Sequence, residues 1–174
     1  INRGAEEGIA VILDIQIGAL SPLDSIQRGL DYLKYPNVHL AIDPEFAMVH
    51  PNQPFPGVPI GFITSQEIND VQAAMIQHME ENGIDGERIL LVHQFADRMI
   101  VDKQEIDPTL PVALTISVDG YGAPIEKIRR YNVFTSDYAA EFSAFKLFYG
   151  WDEPLLSARQ ALGIVSYNLS LIHI

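Results

Sequence analysis

The sequence predicts an α/β fold on a parallel sheet, specifically an incomplete (β/α)8 TIM barrel with about six of its eight β/α units present. Three observations carry that expectation. Strand-like apolar runs alternate with helical segments along the chain, the pattern of parallel strands joined by right-handed crossovers. The polar residues of the strands fall on one face and gather toward the C-terminal ends. A doubly wound open sheet, apolar on both faces, would lack such a face, whereas a barrel has one side toward helices and one toward a small interior. Finally, no Gly-rich dinucleotide fingerprint or phosphate loop follows any strand. Eight strands close a barrel, so the first two units are expected to be missing.

The elements follow in order. Ile9–Ile17 is a near-continuous apolar run closed by Gly18. Ser21-Pro22 supplies an N-cap and a first-turn proline for a helix to Lys34, with Leu23, Ile26, Leu30 and Leu33 on one face. Val38–Phe46 is the second strand, and its set Val38, Leu40 and Ile42 is built for packing. Ala47–Thr64 holds Pro51, Pro54, Pro56, Gly57, Pro59 and Gly61, which forbid regular structure. Ser65 is expected to cap a helix to Asn82, stopped by Gly83. Arg88–Phe95 is a strand, followed by a short helix over Ala96–Lys103. Val112–Asp119 alternates most regularly, with Leu114, Ile116 and Val118 on the packing face. A helix from Ala123-Pro124 to Asn132, a strand over Ser143–Tyr149, a helix over Ser157–Gly163 and a short strand over Val165–Asn168 complete the series.

Length and composition bound the function. The chain of 174 residues is one domain or part of one, read as a partial barrel over 1–169 with a non-native tail over 170–174. Ser170–Ile174 follows no earlier pattern and resembles translated adapter read-through at the ends of metagenomic sequences, so His173 is given no function. The chain opens on Ile1 rather than Met, and Ala5–Gly8 reads as the last turn of a helix already begun. With 11 basic against 23 acidic residues the net charge is −12, which speaks against a nucleic-acid partner. Lys127, Arg129 and Arg130 read as a solvated helix face. No apolar run approaches the roughly 18 residues of a membrane span. The absence of cysteine excludes disulfides, thiolate zinc sites and a cysteine nucleophile.

The strand ends carry the chemistry. Asp43 and Glu45 read as two carboxylates on one strand face, about 6 to 7 Å apart at Cα, either a functional pair or a pair bound structurally by Lys146 or backbone N–H groups. Like charges that close raise one pKa, which keeps a carboxylic acid protonated for general acid work, and glycosidases need two carboxylates across the scissile bond. Asp14 and Gln16 are either a polar plug or a substrate-positioning pair. His93 is either a satisfied core residue or, beside Asp43, Glu45 and Asp119, a general base or metal ligand; Gln94 replaces it as the inward group if the strand bulges. Asp119 precedes Gly-Tyr-Gly, where a ligand could approach the backbone closely. Lys146 is a counter-ion for Asp119 or Asp14, ahead of a Schiff-base lysine. Tyr149 and Trp151 either stack on a sugar or pack, and Tyr121 and Tyr167 share that ambiguity.

Five strings, Leu13–Gly18, His39–Phe46, Val92–Phe95, Asp119–Gly122 and Phe145–Tyr149, together resemble an uncharacterised family of bacterial secreted proteins and lipoproteins similar to glycoside-hydrolase-type barrels. The likeness covers most of residues 8–168. It implies a barrel and a secreted or cell-envelope location, with no established activity. The Asp-x-Glu of Asp43 and Glu45 is also similar to that of chitinase-like barrels, whose acid is the Glu. The longer aspartate series of that motif is absent, since Leu40, Ala41 and Ile42 stand there.

The expected function is a glycosidase-like hydrolase acting on a glycan or small molecule without a cofactor. Glu45 is its general acid, Asp43 its helper and Asp119 the second carboxylate. Asp14, Gln16, His93, Gln94, Lys146, Tyr149 and Trp151 bind substrate. Two alternatives remain. One is a hydrolase of phosphoesters holding a divalent metal on Asp43, Glu45, His93 and Asp119. The other is a non-catalytic sugar-binding or cell-surface protein.

Overall fold

The computed structural model describes residues 1–107, 111–136, 140–164 and 169–173, with side chains described as far as Ala161. In chain order the elements are α1 (Asn2–Glu6), β1 (Val11–Gln16), α2 (Pro22–Leu30), β2 (Val38–Asp43), β3 (Ile63–Thr64), α3 (Ser65–Glu81), β4 (Arg88–Gln94), β5 (Ile100–Val101), β6 (Val112–Val118), α4 (Pro124–Thr135), β7 (Phe142–Leu147), α5 (Ala158–Ile164) and β8 (Leu169–His173). The main sheet has the order β1-β2-β4-β6-β7-β8, every pair parallel. β3 and β5 form a separate two-stranded parallel pair.

The expected barrel is not what forms. Closure requires the first and last strands to pair. Among the described residues β1 bonds only to β2, and β8 only to β7, so the sheet they form is open. The one-sided polarity that suggested a barrel has a simpler cause. Helices cover one face: Ile26 and Leu30 of α2 and Ile68, Val71, Met75 and Met79 of α3 pack with Leu40, Ile42, Leu90, Val92, Leu114 and Ile116. Tyr131 and Phe134 of α4 extend that layer over Val118, Phe145 and Leu147. On the opposite face Ala41, Leu91 and Ala144 pack together, although β6 lies between β4 and β7. Contact across an intervening strand means that the sheet curls toward this face. A concave open sheet and a barrel interior therefore leave the same polar, small-residue pattern in the sequence.

The local rules explain most element ends. Ser21 accepts the Asp24 N–H at 3.0 Å and Pro22 occupies the first turn of α2. That helix stops at Leu30, and Asp31–Lys34 continue as a 3-10 turn. Thr64, rather than Ser65, caps α3 through a reciprocal box: its hydroxyl accepts the Glu67 N–H at 3.2 Å while Glu67 accepts the Thr64 N–H at 2.8 Å. The helix expected over Ala96–Lys103 is instead two 3-10 turns flanking β5. The strand expected over Val165–Asn168 lies outside the described residues. The last strand described, β8, runs through most of the stretch read as a tail and pairs in parallel with β7.

The long loop after β2 is pinned where it leaves and returns. Met48 donates to the Gly18 carbonyl at 2.8 Å, and Gly61 donates to the Glu45 carbonyl at 3.0 Å. Gly61 sits so close to the 44–47 turn that a Cβ there would lie 2.3 Å from the Ala47 oxygen and 2.6 Å from the Pro44 oxygen. Both are backbone atoms, so no rotamer relieves the clash. Gly61→Ala should therefore force the turn that carries Glu45 to move, at a cost of about 1–3 kcal/mol. A thermal melt of the variant that superimposes on wild type would contradict this packing.

Candidate functional site

Because the strands of the main sheet are parallel, their C-terminal ends share one edge. Alternation then places Asp14 of β1, Asp43 of β2, His93 of β4 and Lys146 of β7 on the face the helices leave uncovered. Asp119, one residue past β6, joins them.

His93 is the centre. Its Nδ1 lies 2.7 Å from Asp119 Oδ2 and its Nε2 lies 3.3 Å from Asp14 Oδ2. The second contact crosses β2, which lies between β1 and β4. Lys146 Nζ approaches the same Asp119 Oδ2 at 3.3 Å, and Ser117 Oγ donates to Asp119 Oδ1 at 2.9 Å. Asp119 is thus held by three donors and is only 7% exposed, whereas the Asp14 side chain is 46% exposed. Of the two carboxylates on His93, Asp14 alone opens to solvent.

Charge states follow from these contacts. Burial works against a charged His93, yet hydrogen bonds to Asp119 and Asp14, with their negative charges, push its pKa up to about 10. It is an imidazolium at neutral pH, with both ring nitrogens occupied. It is therefore neither a general base nor an available metal ligand as it stands. The hydrogen bond from His93 holds Asp14 below the ordinary carboxylate range, despite its burial. Asp43 and Glu45 move the other way. Burial raises Asp43, and the charges of Asp119 and Asp14 add to the effect. Burial raises Glu45 too, reinforced by Asp43 and then Asp119.

The expected residues are distributed unevenly around this centre. β2 ends at Asp43, and Pro44–Phe46 form a 3-10 turn. Glu45 is therefore on that turn and not on the strand face assigned to it. Asp43 caps the turn by accepting the Glu45 N–H at 3.0 Å. Gln16 is exposed at the end of β1, in register with Asp43. Gln94 faces away, fully buried; it donates to the Ala96 and Asp97 carbonyls and accepts from Lys103 at 2.8 Å. Its substrate-binding role gives way to this loop-fastening one. Tyr149 is exposed. Trp151 stacks on Phe148 with ring centroids 5.9 Å apart, and Tyr121 meets both rings edge-on. Trp151 and Tyr121 are 67% and 62% exposed, so this is an aromatic surface and not a core. Lys146 Nζ, 5.3 Å from the Phe148 ring, joins it to the charged cluster.

Four participants are not among the residues the sequence singled out for the site. Ser117 had a signal, since it shares the polar alternation of Asp119. Phe148 had none beyond its place next to Tyr149. Lys127 is not on a solvated face: it is buried and pairs with buried Asp152 at 3.0 Å. Its spacing from Tyr131 and Phe134, four and seven residues on, does mark the inward stripe of α4. Arg129 does lie exposed beside Glu126, and Arg130 donates to the Tyr121 carbonyl at 3.2 Å. Among the described residues no group of three or more His, Asp or Glu is disposed to hold a metal ion. For the quartet Asp43, Glu45, His93 and Asp119 to hold one, His93 would have to lose a proton and release Asp14 or Asp119.

The His93 pKa makes stability depend on pH with a definite sign. Its folded value, about 10, exceeds the ordinary histidine value of 6.5. The stabilisation is complete below pH 6.5 and is lost as pH rises through about 10, a change on the order of a few kcal/mol. Melting temperature should fall across that window in wild type, and His93→Gln should flatten the slope. Parallel profiles for the two proteins would refute the ion-paired state.

No family model, curated protein or solved structure matches the chain.

Proposed function

We propose that the chain is a carbohydrate-active hydrolase that cleaves glycosidic bonds with two rim carboxyls whose pKa values are displaced in opposite directions. The observation that carries this reading is the divergence between Glu45, held above the ordinary carboxylate range, and Asp14, held below it, at one sheet edge. Environments that drive two carboxyls apart in pKa assign an acid and an ionised partner. Glu45 donates its proton to the leaving-group oxygen. Asp14 stays ionised and stabilises the positive charge that develops on the sugar ring. Burial raises the Glu45 pKa first; Asp43 adds to that by its charge and, through the Glu45 N–H, fixes where the side chain starts. Asp119, enclosed by Ser117, His93 and Lys146, anchors the charge network instead of serving as the second reacting carboxylate. Lys146 and His93 hold that network in place. Trp151, Phe148 and Tyr121 offer flat apolar faces of the kind that stack on sugar rings.

The exposed aromatic surface favours a second reading, a glycan-binding protein without turnover. A glycan panel separates the two. Under the hydrolase reading wild type releases reducing ends from at least one glycan. Glu45→Gln then lowers the rate by about 100- to 10,000-fold, the span of general acid catalysis, and Asp14→Asn also slows it. Equal rates for wild type and Glu45→Gln would remove Glu45 as the acid. Tight binding with no product from wild type would replace hydrolase with binder.

A further inference from the structure

The buried Lys127–Asp152 pair lies behind the aromatic surface, and its hydrogen bonds converge on the two loops that carry the site. Lys127 Nζ donates to the carbonyls of Gly120 and Lys146, both at 2.8 Å. Asp152 accepts the N–H of Gly122 and of Phe148, both at 2.9 Å. Each of these positions is a site residue or adjoins one. Gly120 follows Asp119, Gly122 follows Tyr121, Lys146 bridges Asp119 to Phe148, and Phe148 is the ring under Trp151. The loop after β6 and the loop after β7 are thereby fastened to one ion pair.

Local backbone geometry serves the same convergence. Gly120 and Gly122 have φ of +92° and +137°, conformations that favour glycine and present the carbonyl of one and the N–H of the other to the pair. After Phe148 the chain turns tightly, with Trp151 and Asp152 both donating to the Phe148 carbonyl, at 3.1 and 2.9 Å. That turn returns Trp151 over Phe148 and sends Asp152 inward. Lys127 also lies 5.2 Å from the Phe148 ring centroid and 5.3 Å from that of Phe145.

We propose that Lys127 and Asp152 are positioning residues, a buried clamp that fixes the Tyr121–Phe148–Trp151 platform relative to Asp119 and Lys146. As a device for substrate placement the clamp rests on the glycan reading above; as a device for ordering the platform it stands on geometry alone. A buried ion pair is often replaceable by apolar residues without loss of stability. Here both partners spend their remaining hydrogen-bonding capacity on loop backbone, which apolar replacements could not do.

Trp151 is the sole tryptophan, so its fluorescence reports the platform directly. The test compares wild type with Asp152→Asn, Lys127→Met and the double variant Lys127→Met/Asp152→Leu. In each variant with native far-UV circular dichroism, the fast-decaying part of the Trp151 anisotropy should rise about twofold, as nanosecond motion is released. The double variant should melt higher than the single ones yet keep the mobile Trp151. If a single variant does not fold, the double variant supplies the same measurement. Wild-type mobility in any folded variant overturns the clamp. For any glycan that wild type turns over, KM should rise about tenfold with kcat within about twofold, the mark of binding lost at the platform with the reacting carboxyls left in place. A fall in kcat at constant KM would refute the substrate-placement role. Absence of turnover in wild type would defeat the hydrolase reading and leave the anisotropy result to decide the clamp.

Discussion

The imidazolium of His93, held between Asp14 and Asp119, is the interaction on which the arrangement of the site depends. Three strands of the concave sheet meet there: β4 supplies the cation, β1 one anion and the end of β6 the other. Buried charge is tolerated only when it is paired and hydrogen-bonded. The pairing therefore dictates neighbouring positions. Ser117 must turn its hydroxyl to Asp119, and Lys146 must reach the oxygen already used by His93. The same network sets the field at Asp43 and Glu45, since His93 and Asp119 both act on each of them. Removing one member would alter the charge balance of the whole edge.

Much of this was legible in the sequence, because period-two alternation reports which face a strand residue occupies. Leu114 and Ile116 went to the helices, and Thr115 and Ser117 to the concave side, as their spacing required. Asp14, Asp43, His93 and Asp119 were marked by their place toward strand ends, and Lys146 as a charge inside a strand otherwise rich in phenylalanine. Closure was not legible. Alternation records the polarity of a face and says nothing of whether the first strand meets the last. Glu45 was misplaced because Asp43-Pro44 ends β2, and a proline that opens a 3-10 turn reads locally like a strand continuation. Lys127 was misread because a charged side chain on an apolar stripe looks solvated until its distant partner, Asp152, is brought to it.

Two kinds of order coexist at the sheet edge. The charged cluster is locked by side chains from several strands, and its groups have few alternatives. The aromatic surface sits on loops after β6 and β7, exposed to solvent and ordered from behind by Lys127 and Asp152. A rigid charged cluster thus adjoins an exposed surface that is tethered through its backbone. The tight approach of Gly61 to the 44–47 turn gives the turn that carries Glu45 a backing of its own.

The sequential strand order has a consequence for how the molecule is made. Each strand of the main sheet pairs with the main-sheet strand before it in the chain, so every new pairing closes a loop of modest length. Growth can proceed outward from a helix-covered pair such as β2 and β4, one crossover at a time. The charged cluster cannot form so early. It draws on β1, β4, β6 and β7, and is complete only when four strands have docked. Without Asp119 at the end of β6 the His93 ring would lose the partner that most raises its pKa. The charge states of the site are therefore a property of the completed sheet and of no single strand pair.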